Sequence, residues 1–302
     1  MPAPYFDRYI TVDWNASKSP TRKPEDSIWV YVLDADGTPS KPKNLRTRGA
    51  AEVEVRNALR ETVARGKRVL VSFDFAYGYP ARFASALDLR GESWQAIWHY
   101  LLTEVQDDAV TNMNNRFRVA DAINRQLGHP VFWGQDPCQP PLLNLPRRGD
   151  RYGDALQKLG LAKYRAVEQV ICNTRGLTDA KTVWQLWGRG VVGSQTLTGI
   201  PVLARLLHDE VLAPVSAVWP FQVQVPDLPP GRPAVIHAEM FPSLFDIHVL
   251  PDQSKDEAQV MYVADKFRDH DRLGTLGELF AAAASDPVSA EEGWILGVRP
   301  AV

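Results

Sequence analysis

Four carboxylates occupy places where a carboxylate is costly. Asp13 lies inside Ile10-Thr-Val-Asp-Trp14 and Asp74 inside Val69-Leu-Val-Ser-Phe-Asp-Phe75, both apolar, β-prone runs. Glu239 closes Ala234-Val-Ile-His-Ala-Glu and stands before Pro242, which breaks a ladder. Asp256 precedes the stripe Val260, Val263, Ala264, Phe267 and shares its inward helix face, whereas Asp265 sits off the stripe and is expected to face solvent. Taken singly, each acid has a structural explanation. A strand acid pairs with a nearby Arg, and Asp256 caps its helix, worth roughly 0.5–2 kcal/mol. Converging on one sheet edge, the four would repel one another. Mg²⁺ or Mn²⁺ relieves that repulsion through oxygen ligands. Two such ions about 3.5–4 Å apart activate a water and stabilise the leaving oxygen of a phosphoryl displacement.

The elements that must position these acids follow from pattern. Tyr9–Trp14, Ser27–Leu33 and Lys43–Arg48 predict a β-meander, with Asp36-Gly37 as a turn. Val55, Leu59 and Val63, spaced by four, predict a helix from Ala50 to Arg65 that ends at Gly66. The run Val69–Phe75 predicts a central strand covered on both faces. A largely helical stretch follows, interrupted by a proline-rich loop from Pro137 to Pro146. Short strands are predicted near Val215–Trp219 and Ala234–Glu239, joined through Pro226–Pro233, and helices over Ser254–Arg268 and Leu273–Ala284. This order predicts an α/β fold: one domain spanning 1–302, with a mixed sheet flanked by helices and a helical insertion, or cap, over about residues 80–213.

Two further clusters have phosphate-binding chemistry. Asn15, Ser17 and Lys18 follow Asp13 on the first hairpin, where Lys18 would meet a phosphate; a solvated turn lysine is the alternative. Ser194, Gln195 and Thr196 open a helix, and such an N-terminus offers N–H and hydroxyl donors to an anion. The full P-loop pattern is absent, and an ordinary helix cap also explains them. Arg165 and Glu168 read as a surface ion pair worth a few tenths of a kcal/mol. Arg116, Arg118 and Arg125 read as solvated charges on the cap, and Lys41, Lys43, Arg46 and Arg48 as a basic run guarding an edge strand or touching a nucleic-acid backbone.

Composition narrows the partners. With 34 basic and 36 acidic residues among 302, the net charge of −2 argues against tight, non-specific duplex binding. Cys138 and Cys172 are too few for a disulfide framework, no apolar run approaches the ~18–20 residues of a membrane span, and Met1–Tyr9 lacks a signal-peptide core. A cytoplasmic protein without membrane contact is expected.

Three strands, a helix, an Asp-bearing strand and a late acidic helix resemble the ribonuclease H-like fold, whose superfamily includes actin-like ATPases. Val12-Asp-Trp14, Ser72-Phe-Asp-Phe75, Ala238-Glu-Met-Phe-Pro242, Lys255-Asp-Glu-Ala-Gln259 and the closing Glu292-Gly-Trp-Ile295 look like an uncharacterised bacterial family of that superfamily, predicted to contain nucleases. The resemblance covers the two ends of the chain. It implies a ribonuclease H-like mixed five-stranded sheet, with Asp13, Asp74 and Asp256 as metal-binding catalytic acids and Glu239 as a further ligand or water-orienting base. The implied activity is Mg²⁺- or Mn²⁺-dependent cleavage of nucleic acid or a small phosphodiester. The alternatives are an ATP- or nucleotide-using enzyme of the actin-like branch in cobalamin or molybdopterin metabolism, with phosphate near Asn15–Lys18 and Ser194–Thr196, and a non-catalytic binding module.

Overall fold

Alternation of apolar residues builds the sheet. In the computed structural model, which describes residues 4–21, 23, 27–38, 40–150, 152–175, 181–188, 190–223, 231–282 and 288–300, the strands are β1 (Arg8–Asp13), β2 (Ile28–Asp34), β3 (Lys43–Leu45), β4 (Arg68–Phe73), β5 (Ser216–Val218) and β6 (Ala234–Glu239). Their order across the sheet is β3-β2-β1-β4-β6-β5. β1 pairs antiparallel with β2, and β2 antiparallel with β3, whereas β4 runs parallel to both β1 and β6, and β5 parallel to β6. Among the described residues the sheet therefore has six strands, in the chain order the sequence pattern predicts, and not the five that the resemblance implies. The extra one is the short β5, which is held only along the outer edge of β6.

Helices cover both faces. On one face, Val12, Val30, Val71, Phe73 and Val235 meet Ala51, Val55 and Leu59 of α1 (Arg48–Ala64), together with the apolar residues of the insertion. Gly66, at φ +69°, supplies the left-handed residue that ends α1. The insertion contributes α2 (Phe83–Ala86), α3 (Ser93–Glu104), α4 (Arg116–Leu127), α5 (Tyr152–Leu159), α6 (Ala166–Arg175) and α7 (Gly193–Leu207). On the other face, Tyr9, Tyr31, Leu70, Ile236 and Ala238 meet Val260, Val263, Ala264 and Phe267 of α8 (Lys255–Arg272), so the expected stripe faces inward. Asp265 stays partly exposed and pairs with Arg268 at 3.1 Å.

α8 is anchored along β1. The buried Asp271, in its last turn, accepts hydrogen bonds from the Tyr5 and Phe6 N–H groups (2.7 and 2.9 Å) and from the Tyr9 hydroxyl (2.6 Å). Midway, the Thr11 hydroxyl donates to the Val260 carbonyl at 2.7 Å. With its C-terminal end fixed at the start of β1, α8 presents its N-terminal turn to the end of β1 that carries Asp13. The predicted final helix shrinks to α9 (Leu276–Leu279), and residues 283 and 284 of that prediction lie outside the described residues, as does most of the Pro226–Pro233 connection. Among the described residues, no helix is long and apolar enough to cross a membrane.

Candidate functional site: an acidic sheet edge

The parallel strands β1, β4 and β6 finish at one edge of the sheet, the edge where open α/β sheets take their ligands. Asp13 is the last residue of β1 and is 9% exposed. Asp74 lies one residue beyond the end of β4 rather than inside the strand. Its Oδ1 accepts the Trp14 N–H at 2.7 Å, which ties the two strand ends together. Alternation places Asp13 with Tyr9 and Thr11, and Asp74 with Leu70 and Ser72, on the α8 side of the sheet. Asp256 enters from the first turn of α8. The cap of that helix is Ser254, whose hydroxyl accepts the Glu257 N–H at 3.2 Å, so Asp256 is not the N-cap residue.

The three aspartates act on one another. Burial, with the neighbouring charges of Asp74 and Asp256, pushes the Asp13 carboxyl well above its usual range, and Lys255 partly offsets this. Burial also raises Asp74, to about 7; the Trp14 N–H opposes the rise, while Asp256 and Glu239 add to it. Among the described residues, no group of three or more His, Cys, Asp or Glu side chains is placed so that it could hold a metal ion as it stands. The aspartates thus form a repelling cluster rather than a preformed cage.

Glu239 stands apart from them. It ends β6 in the alternation of Val235 and His237, whose side chains point away from α8. Its two oxygens accept from the Arg165 guanidinium at 2.6 and 2.7 Å, and Oε2 also accepts the Tyr77 N–H at 3.0 Å. Arg165 is 1% exposed and also binds Glu168 through Nε and Nη2, while its own N–H donates to Glu168 at 2.9 Å. The expected surface pair is therefore a buried Glu168–Arg165–Glu239 cluster. Burial opposes the charge on Arg165, but the two carboxylates raise its pKa nonetheless. Burial lifts Glu239, and the facing guanidinium holds it down. A cavity of about 220 Å³ reaches Asp74, Glu239, Arg165 and Gln195.

The expected phosphate-binding residues divide in the same way. Asn15 Oδ1 accepts the Ser17 N–H at 2.6 Å, and Arg48 clamps the turn by donating to the Asn15 and Ser17 carbonyls at 3.1 and 2.7 Å. Arg48 also forks onto Asp107 at 2.5 and 2.6 Å and is buried, so it does not belong to an edge-guarding basic run. The Ser194 hydroxyl donates to the Leu186 carbonyl at 2.7 Å and accepts from Arg116 Nε at 2.8 Å. The Thr196 hydroxyl donates to Val192 O at 3.1 Å, and Gln195 Nε2 to Trp14 O at 2.5 Å. Their polar groups are engaged within the chain. Lys18, by contrast, opens onto another cavity, of about 890 Å³, which Asp13, Asp74 and Asp256 do not line.

The buried roles of Arg48 and Arg165 are not visible in the sequence, where both read as surface charges. Nor is the role of Glu291, or of Glu292 from the closing motif: they accept the Ala84 and Ala166 N–H groups at 2.6 and 2.7 Å and so fasten the insertion near the acidic edge. Comparison of the chain with protein-family models, with curated proteins and with solved structures returns no match.

Proposed function

We propose that the acidic edge is a divalent-cation site and that the protein is a Mg²⁺- or Mn²⁺-dependent phosphodiesterase of ribonuclease H-like type. The observation that carries this reading is the placing of Asp13 and Asp74 at adjoining strand ends with Asp256 in the first turn of α8, where burial, and after it the neighbouring carboxylates, raises the proton affinity of Asp13 and Asp74. A divalent ion replaces those protons and cancels the repulsion, and an all-carboxylate donor set suits hard ions. The order of meander, helix, Asp-bearing strand and late acidic helix supports the ribonuclease H-like resemblance.

Asp13, Asp74 and Asp256 would hold the ion. When bound, it supplies Lewis-acid polarisation of a phosphoryl oxygen and a water of lowered pKa. The Trp14 N–H orients the Asp74 carboxylate. The α8 N-terminus adds positive potential at Asp256. Glu239 remains with Arg165 and acts on the field at Asp74 rather than as a ligand. The substrate is nucleic acid or a small phosphodiester.

Calorimetric titration with Mn²⁺ tests the reading, with circular dichroism as the folding control and a short oligonucleotide added in a second series. Saturable binding by the wild type that disappears in a folded Asp13→Asn variant is expected. Absence of binding in both series, or undiminished binding by Asp13→Asn, overturns it.

A further inference from the structure

A cavity of about 890 Å³ lies between the first hairpin and the insertion, and Lys18, Asn114, Phe117, Arg118 and Gln135 are among the residues that line it. Behind it stands Arg116, 5% exposed. Among the described residues its guanidinium donates to two neutral acceptors, Ser194 Oγ and Asn114 Oδ1, both at 2.8 Å, and lies 4.4 Å from the centre of the Phe117 ring. The Lys18 ammonium sits over the same ring at 4.8 Å. Among the described residues, none of Lys18, Arg116 and Arg118 is ion-paired, whereas the other buried arginines Arg8, Arg48 and Arg165 all are.

Three carboxylates stand nearby, Asp107 and Asp108 on the cavity wall and Asp136 close to Lys18 and Arg116, and each is held by other donors. Asp107 is forked by Arg48, Asp108 accepts the Val110 and Thr111 N–H groups, and Asp136 accepts the Cys138 N–H. Arg116 and Arg118 also occupy the first turn of α4, which carries no acidic residue, so they add to the positive end of that helix. Burial, with Arg116 and Arg118 nearby, lowers the Lys18 pKa, with Asp136 opposing; burial and Arg48 lower Arg116 to about 10, with Asp136 and Asp107 opposing. Among the described residues no carboxylate forms an ion pair with these three cations, and an anion placed between them would relieve their mutual repulsion.

We propose that Lys18, Arg116 and Arg118 form an anion subsite that binds a phosphate group, with Phe117 and the cavity's carboxamides accommodating the organic part that the phosphate carries. The subsite meets the acidic edge at the start of α7. There Ser194 binds Arg116, and the adjoining Gln195 lines the cavity of Asp74 and binds the Trp14 carbonyl. Phosphate binding stands on these residues alone. That the phosphate belongs to a substrate cleaved at the aspartates, one carrying at least two phosphate groups, rests on the proposed phosphodiesterase function.

Binding of pyrophosphate and of a short oligothymidylate is measured by calorimetry in the presence of EDTA, at two salt concentrations. The variants are Lys18→Gln and Arg118→Glu, whose side chains are not fully buried, with Asp13→Asn in parallel and circular dichroism throughout. The wild type and Asp13→Asn are expected to bind at least one probe. Each subsite variant is expected to bind it about tenfold more weakly, with a shallower salt dependence. Failure of the wild type to bind either probe, or equal binding by the folded subsite variants, overturns the subsite. Loss of Mn²⁺ binding at the aspartates would not alter these results, so the two proposals fail separately.

Discussion

Replacing Asp74 by Asn should make the metal-free protein more stable above neutral pH and leave its stability near pH 4 almost unchanged. The folded protein holds the Asp74 proton up to about 7, against the ordinary 3.8 of an unfolded chain. Between those values the native state binds more protons than the unfolded state, so wild-type stability falls as pH rises. At 1.36 kcal/mol per pH unit, the full interval corresponds to about 4 kcal/mol. Asp74 is only half-buried and opens into a cavity, so solvent screening reduces the loss to about 2–4 kcal/mol. Asn keeps the carbonyl oxygen that accepts the Trp14 N–H and cannot ionise. Urea denaturation followed by tryptophan fluorescence, in EDTA at several pH values from 4 to 8, reads the difference between the two proteins directly. Mn²⁺ at a hundred times its dissociation constant should then return about 2.7 kcal/mol to the wild type at pH 8 and little to Asp74→Asn. Parallel stability curves for the two proteins without metal would refute the raised proton affinity of Asp74 on which this reasoning depends.

Three further perturbations test the elements around the site. Arg165→Met leaves Glu168 and Glu239 buried without their cation and should cost about 3–5 kcal/mol in denaturant unfolding, with partial recovery when both glutamates become Gln; a cost under about 1 kcal/mol would show that the cluster is not buried as described. Gly199→Ala places a Cβ 2.3 Å from the Phe75 ring, beside Asp74, and should lower stability by about 1–3 kcal/mol; an unchanged Tm would exclude that close approach. Ser254→Ala removes the hydroxyl that caps α8 and should cost about 1 kcal/mol, measured the same way, and no change would return the capping role to another group.

The strands and α1 were legible because their order is written locally, in alternation and in four-residue spacing. Ala234–Glu239 is found at its predicted bounds, and α1 within two residues of them. The acidic edge was legible for the same reason, since each aspartate sits at the end of a run whose period is plain. Arg165 was not. Its spacing to Glu168 shows only the pair within one helical turn, while the partner that buries it, Glu239, is 74 positions away. The separation of Glu239 from the aspartates did have a local signal in the parity of Val235, His237 and Glu239 against Ile236 and Ala238. Arg48 carried none. In a run of basic residues, nothing marks the one that meets Asp107 across a loop.

The Glu168–Arg165–Glu239 cluster gives the insertion a part in the acidic edge beyond covering it. Two buried carboxylates against one buried guanidinium leave a net charge of −1 that acts on the half-buried Asp74. That charge raises the proton affinity of Asp74, and by the same sign it raises affinity for any cation that displaces the proton. Were Arg165 absent, ionised Glu239 would add a fourth repelling carboxylate and the edge would be harder to assemble. Were Glu168 absent, the cluster would be neutral and the attraction weaker. Arg165 immediately precedes α6, and Glu292 binds both its guanidinium, through the carbonyl, and the Ala166 N–H. The insertion and the C-terminal run thereby set the charge at strand ends that belong to neither. Metal affinity at the aspartates should therefore respond to how the insertion is seated, although among the described residues the insertion supplies none of the three proposed ligands.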